Sequence, residues 1–329
     1  MKDIAQKTGL GLATISSYFN GGNVREKNRL AIEQAIEELH FEVNEVARGL
    51  KTKRTKTIGI IIPELSNIFC TAIITVIEDV LRCHGYATIV CDCRTNSALE
   101  SEAVEFLLRK MVDGIINIPV TPDGSHLLPV LKKGKPVVLV DRIINGLECD
   151  TVVVDNTNAA KRAVSELIHA GHQNIGMLAG PHEMFTAEER LLGYRLALME
   201  NGIIPKEEWI VCGHYTMEGG RQGATALLKQ HELTAMFVSN YEMTVGAVIA
   251  LNQSGKQIPQ DISLIGFDNQ DFAHAVKPTL TIVTQPTAEI GEQAARLILA
   301  RLNEADRPFE SIRLQTEMMI GQSVKICRK

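Results

Sequence analysis

From residue 57 onward, short β-rich runs alternate with longer amphipathic stretches. The runs 58–63, 87–91, 114–118, 136–140, 151–154, 175–178, 235–238, 262–266 and 280–284 read as strands. Between them, 72–83, 99–111, 159–170, 187–201, 220–229, 243–254 and 289–302 place apolar residues at helical spacing. Strand–helix alternation predicts parallel sheets covered on both faces by helices. The 273 residues from 57 on are many for one such sheet, so two Rossmann-like halves are expected. Ligands of such sheets sit at the carboxyl ends of the strands, and two facing halves make a cleft there.

The first fifty residues follow another pattern. Residues 4–8 form a short helical pattern, broken by Gly9-Leu10-Gly11; 12–20 form a second, ended by Gly21-Gly22; 25–39 form a third. Two short helices joined by a Gly-containing turn match a helix-turn-helix. At about 100° per residue, Ile15, Tyr18 and Phe19 share one side of the second helix. Ala13 and Ser17 lie opposite, flanked by Thr14 and Ser16. The apolar side packs on its neighbours, and the small polar side fits a major groove. Periodicity alone also allows a helical cap on the body.

Composition narrows the class. The 329 residues are 45% hydrophobic and 22% charged, which excludes a disordered or collagenous chain. The longest apolar run, 68–77, contains Thr71 and Thr75 and is half the roughly 20 residues of a membrane span, so no membrane partner is expected. No apolar signal region opens the chain, so a cytoplasmic location is expected. Seven scattered cysteines predict reduced thiols.

The net charge of −5 hides an asymmetry: residues 1–56 carry +3 and the remainder −8. Arg48, Lys51, Lys53, Arg54 and Lys56 crowd into nine residues without an acid. A positive end on a negative body suits a polyanion, because Lys and Arg displace counterions condensed on phosphates. A solvated basic linker is the other reading.

Catalytic motifs are missing. No phosphate-binding loop, dinucleotide fingerprint or G-x-S-x-G elbow occurs, and Gly134-Lys135 runs into Pro136. Cys91-x-Cys93 has the wrong spacing for a zinc knuckle or redox pair, and His169-x-x-His172 straddles Gly171 at a helix end, so both read as structural and no metal is expected. No nucleophile stands with a base, so an enzyme is not expected.

The runs KDIAQKTGLGLATISSYFNG, AIEELHFEVNEVARGL and TKTIGIIIPELSNIF resemble the LacI/GalR family of bacterial transcription regulators. So do VDGII (112–116), PVVLVDR (136–142), VVVDN (152–156), GHQNIGML (171–178), TAEERLLGY (186–194), AMFVSNYEMTVGA (235–247), ISLIGFDN (262–269) and LTIVTQP (280–286). The resemblance spans essentially the whole chain in order. It implies a helix-turn-helix domain over 1–43, a hinge helix and linker over 44–56, and a two-lobed, periplasmic-binding-protein-like effector and dimerisation domain over 57–329. It further implies a repressor that binds a palindromic operator as a homodimer. No leucine heptad follows the last strand-like segment to build a larger assembly. The effector would be a small metabolite, a sugar or sugar derivative, with no other cofactor.

Carried onto matching positions, the resemblance implies DNA contacts from Leu12, Ala13, Thr14, Ser16, Ser17 and Asn20, and from Ala47, Leu50, Lys51, Lys53 and Arg54 around the hinge. Leu50 would wedge into the minor groove; packing on the body is its alternative role. Gly11 replaces the usual Ser cap, Ser17 the usual Arg, and Arg25 the usual Ser at the third helix. His40-Phe41-Glu42-Val43 replaces Gly-Tyr-x-Pro, and Gly49 interrupts the hinge. The departures predict a less stable headpiece and altered base preference. Effector contacts are implied for Phe69, Asp141, Arg190, Tyr215, Asn240 and Asp268; capping of helices is the alternative role for Asn240 and Asp268. A solute-binding protein and an α/β enzyme with a helical cap are the competing functions. The missing signal region and basic headpiece oppose the first, and the missing catalytic set opposes the second.

Overall fold

The computed structural model describes residues 1–19, 22–41 and 54–327. The expected hinge helix over 44–50, with Ala47 and Leu50, lies outside the described residues, as do Asn20, Lys51 and Lys53. The chain divides into two units, Met1–Thr55 and Lys56–Lys329. Among the described residues no helix is long and apolar enough to cross a membrane.

In the first unit, α1 (Lys2–Thr8), α2 (Leu12–Phe19) and α3 (Glu26–Glu38) enclose Ile4, Ile15, Ile32 and Ala35. Tyr18, Phe19 and Phe41 surround this core, and the Tyr18 and Phe19 rings meet edge-on at 5.3 Å. Gly9 stops α1 because it adopts φ 68°, a left-handed conformation that costs a glycine little, and its N–H returns to the Ala5 carbonyl. Gly11, before α2, has no side chain to cap it; its carbonyl accepts the Thr14 and Ile15 N–H groups. With so few buried side chains, the loss of a cap is felt.

The second unit repeats one winding twice. Its first half runs β1 (Thr57–Ile62), α4 (Ile68–Cys83), β2 (Ala87–Asp92), α5 (Ser97–Arg109), β3 (Gly114–Asn117), α6 (Leu128–Lys132), β4 (Val137–Val140) and β5 (Asp150–Val154). The second half runs α7 (Asn156–His169), β6 (Ile175–Ala179), α8 (Phe185–Glu200), β7 (Ile210–Cys212), α9 (Met217–Leu227), β8 (Ala235–Val238), α10 (Tyr241–Gln253), β9 (Ser263–Phe267), α11 (Gln270–Ala275) and β10 (Thr281–Thr284). Helix α12 (Thr287–Asn303) and strands β11 (Ser311–Leu314) and β12 (Glu317–Met319) complete it. The sheets are ordered β2-β1-β3-β4-β5-β11 and β7-β6-β8-β9-β10-β12. The chain therefore crosses between lobes after β5, after β10 and after β11. Helix α12 returns to the first lobe, where Ile290, Ala294, Leu297 and Ile298 join its core. The α/β, doubly wound architecture is the one the alternation predicts.

Four details differ from the pattern. Strands β7, β11 and β12 escape it, because they are edge strands of only three or four residues, half-exposed and too short to register. β12 is antiparallel to β10, so the second sheet is mixed. Helices α6 and α11 are one or two turns long, too short for periodicity to register. Helix α4 starts at Ile68 rather than 72, because Asn67 caps it by accepting the Cys70 N–H at 3.0 Å.

Candidate functional site

Strands of both lobes end at one cavity of about 330 Å³. Phe69, Asp141, Arg190, Tyr215, Asn240 and Asp268 all line it. Phe69 comes from the first turn of α4 and Asp141 from the end of β4, both in the first lobe. The other four come from the second lobe, so the cavity lies between the lobes.

The backbone is strained where it presents these groups. Asp141 (φ 68°), Tyr215 (φ 57°) and Asp268 (φ 61°) all adopt left-handed conformations. Each costs about 1–3 kcal/mol, which surrounding structure must offset. The Tyr215 ring lies against Gly180, where any Cβ would come within 2.3 Å of Cζ. Its hydroxyl sits 3.3 Å from Thr186 Oγ1, and burial pushes its pKa up.

Arg190 projects from α8 and is 3% exposed. Its Nε donates to Asn156 Oδ1 at 2.8 Å and its Nη1 to the Ser239 carbonyl at 2.5 Å. The guanidinium stacks on Phe267, 3.8 Å from the ring centroid. Nη2 makes no hydrogen bond among the described residues. Asp268 accepts Gln285 Nε2 on Oδ1 at 2.9 Å, and Oδ2 has no such donor among the described residues. One guanidinium edge and one carboxylate edge are thus available to a ligand.

The capping alternative divides. Asn240 does cap α10, accepting the Met243 N–H at 3.1 Å. Asp268 does not cap α11; Asn269 takes that position and accepts the Phe272 N–H at 2.9 Å.

Four acids, Glu64, Asp141, Glu242 and Asp268, line this cavity together with Arg94, Arg142, Arg190 and His214. Burial raises Asp268 to about 6; Arg190 and the Gln285 hydrogen bond restrain the rise, and Asp141 adds to it. Burial likewise raises Glu242 to about 7, and Asp268 and Glu64 push it further, while its own backbone N–H and Arg142 oppose. A carboxyl raised above its unfolded value stabilises the fold below the ordinary carboxylate range and loses that contribution as pH rises through its folded pKa. The unliganded protein should therefore lose stability between pH 5 and pH 8 more steeply than Glu242→Gln, which cannot ionise there. Melting temperatures across that range should diverge by about 2–4 °C, the equivalent of roughly 1 kcal/mol at this size. Parallel curves would remove Glu242 as the titrating group.

Sequence reasoning missed Glu242, Asn67, Tyr241, Arg142 and Gln285, which also line the cavity. All five lie inside quoted motifs, Asn67 in TKTIGIIIPELSNIF, Arg142 in PVVLVDR, Tyr241 and Glu242 in AMFVSNYEMTVGA and Gln285 in LTIVTQP, so a signal existed. Glu242 was passed over because an acid in the first turn of a helix is a common complement to the helix dipole. Asn67 Nδ2 donates to Glu242 Oε1 at 2.8 Å, which ties the first lobe to the second across the cleft.

In the first unit, Leu12 and Ala13 are exposed on α2, and Thr14, Ser16 and Ser17 are half-buried. Ile15 is fully buried and Ala13 exposed, as the periodicity predicts, whereas Ser17 is half-buried like Tyr18 and Phe19. Arg54 is exposed.

A family model described as a periplasmic binding protein-like domain matches residues 164–324. Catabolite control protein A of Priestia megaterium is 34% identical over 326 residues, covering 98% of this chain and 98% of that protein. The lac repressor dimer bound to operator and the anti-inducer ONPF superposes with a TM-score of 0.86, at 25% identity and 98% coverage of both chains. The transcriptional regulator CelR in complex with cellobiose gives a TM-score of 0.77, at 26% identity and 98% coverage of both chains.

Proposed function

On the premise that the chain belongs to the LacI family of transcriptional regulators, a non-enzymatic family, we propose that it is a repressor controlled by a small hydroxylated metabolite, a sugar or sugar derivative. It acts in the cytoplasm as a homodimer on a palindromic operator. The observation that carries this reading is the convergence of Phe69, Asp141, Arg190, Tyr215, Asn240 and Asp268 on one interlobe cavity. Planar carboxylate, amide and guanidinium groups match adjacent hydroxyls, and Phe69 and Tyr215 offer faces for the apolar side of a sugar ring. The relative CelR holds cellobiose, and the lac repressor holds operator.

Coupling follows from the crossovers. Arg190 bonds Asn156, which opens α7 directly after the first crossover, and Asp268 bonds Gln285 at the second. A ligand gripping both groups favours one lobe arrangement, and only such differential affinity shifts an equilibrium. Bases would be read by the exposed side of α2 through Leu12, Ala13, Thr14, Ser16, Ser17 and Asn20. Ala47 and Leu50 would enter the minor groove, and Lys51, Lys53 and Arg54 would contact phosphates.

Fluorescence anisotropy on palindromic and unrelated duplexes tests this. Replacing Lys51, Lys53 and Arg54 by Ala should weaken binding to every sequence and flatten the salt slope by about 0.9 for each phosphate no longer neutralised. Ser17→Arg should instead favour guanine at one position per half-site, by about 1–3 kcal/mol. If both changes act on all duplexes alike, α2 is not the reading helix.

A further inference from the structure

We propose that the ligand of the cleft carries a cationic amine beside its hydroxyls, as an amino sugar does, and that Glu242 is the residue that receives it. This rests on the reading of the cleft as a site for a hydroxylated metabolite. Two helix caps fix the carboxylate. Asn67 turns Oδ1 to the Cys70 N–H, and Asn240 turns Oδ1 to the Met243 N–H. The amide orientation is thereby settled, and both NH2 groups must face the other way. Both face Glu242: Asn67 Nδ2 reaches Oε1 at 2.8 Å and Asn240 Nδ2 reaches Oε2 at 2.5 Å. The carboxylate is held rigidly from both lobes by neutral donors, with two of its roughly four lone-pair directions still available.

No Lys, Arg or His among the described residues forms an ion pair with it. Arg142, whose charge does act on it, forms its ion pair with Asp141 at 3.3 Å, where Nε makes no hydrogen bond, and donates Nη1 to the Pro119 carbonyl at 2.7 Å. Arg190 directs Nε and Nη1 to Asn156 and Ser239, Arg94 is exposed, and His214 lines the cavity without an ion pair to Glu242. Glu242 is half-buried, and withdrawing a carboxylate from water without a counter-charge costs free energy that a ligand cation restores. The aromatic lining is compatible with the same ligand. Phe69, Tyr215 and Tyr241 line this cavity, and aromatic faces attract cations as well as sugar rings. The chemistry that results is a hydroxyl-binding edge at Arg190 and Asp268 and an ammonium-binding edge at Glu242.

Titration calorimetry on the full chain with matched trios tests this: glucosamine, glucose and N-acetylglucosamine, and the galacto and manno equivalents. In at least one trio the amine should bind tenfold or more tighter than both its uncharged partners. Glu242→Gln should bring that ratio towards one, while Glu242→Asp, which keeps the charge, should retain a preference for the amine. The unliganded melting transition of each variant reports that it has folded. If an uncharged sugar binds as tightly as its amine, the cationic assignment is wrong and the hydroxylated-ligand reading stands. If no member of any trio binds in the millimolar range, that reading itself falls.

Discussion

Arg190→Ala is expected to abolish the response to ligand, with affinity falling roughly a hundredfold or more, since a charge-assisted hydrogen bond contributes about 1.5–3 kcal/mol and a paired set more. Operator binding without ligand should persist, because the helix-turn-helix lies in the other unit. The geometry adds a second expectation. The side chain satisfies Asn156 Oδ1 and the Ser239 carbonyl, and both residues are fully buried. Removing it leaves two buried acceptors without a donor and strips the stacking partner from Phe267. The variant should therefore also melt earlier. Arg190→Lys separates the roles, since it keeps the charge but loses the fork that reaches Asn156, Ser239 and the cavity together. Calorimetric titration with a ligand of the native protein, read beside anisotropy on operator, decides the matter. A variant that is folded and keeps native affinity would remove Arg190 from the ligand site.

Asp155 shows why a crossover is visible in structure but hidden in sequence. It accepts the Asn158 N–H as an ordinary helix cap, and the chain around it reads as strand followed by helix, like every other unit of the winding. Nothing in that pattern says that the strand and the helix belong to different lobes. The strands with continuous apolar runs, such as Thr57–Ile62 and Val137–Val140, were legible because both faces of a parallel sheet are buried. Ser311–Leu314 alternates polar and apolar residues, but over only four positions, too short a run to separate from a loop. Five of the six cleft candidates lie inside motifs that carry the family resemblance, and Tyr215 lies outside them. Glu242 and Asn67 lie inside such motifs too, but their pairing was hidden, because it depends on two helix starts meeting across the cleft, and neither lies near the other in sequence. Asp268 and Asn269 illustrate the finer limit. Adjacent polar residues at a strand end compete for one cap, and only the backbone angles decide which turns to the helix and which to the cavity.

The largest loss of stability should come from a pair that no quoted motif contains. Arg301, in the last turn of α12, is 6% exposed and Asp150, the first residue of β5, is fully buried. Arg301 Nε reaches Asp150 Oδ2 at 3.0 Å and Nη2 reaches Oδ1 at 2.9 Å, a two-pronged pair in a dry setting. The same guanidinium donates to the carbonyls of Ala305, Arg307 and Pro308, and Asp150 Oδ1 accepts the Glu310 N–H at 2.9 Å. Together they clamp the segment that leads into β11, the strand that precedes the third crossover. Arg301→Ala strands a buried carboxylate and frees that segment, so it should cost about 3–5 kcal/mol and lower the melting temperature by roughly 10 °C. Replacing the pair by Asp150→Ala with Arg301→Met should recover part of the loss. Such a double variant removes the uncompensated charge, although the three carbonyls stay without their donor. The recovery separates the charge from the clamp: full recovery would assign the whole effect to Asp150, and none would assign it to the loop. A single Arg301→Ala variant that melts within about 2 °C of the native protein would show that the segment needs neither.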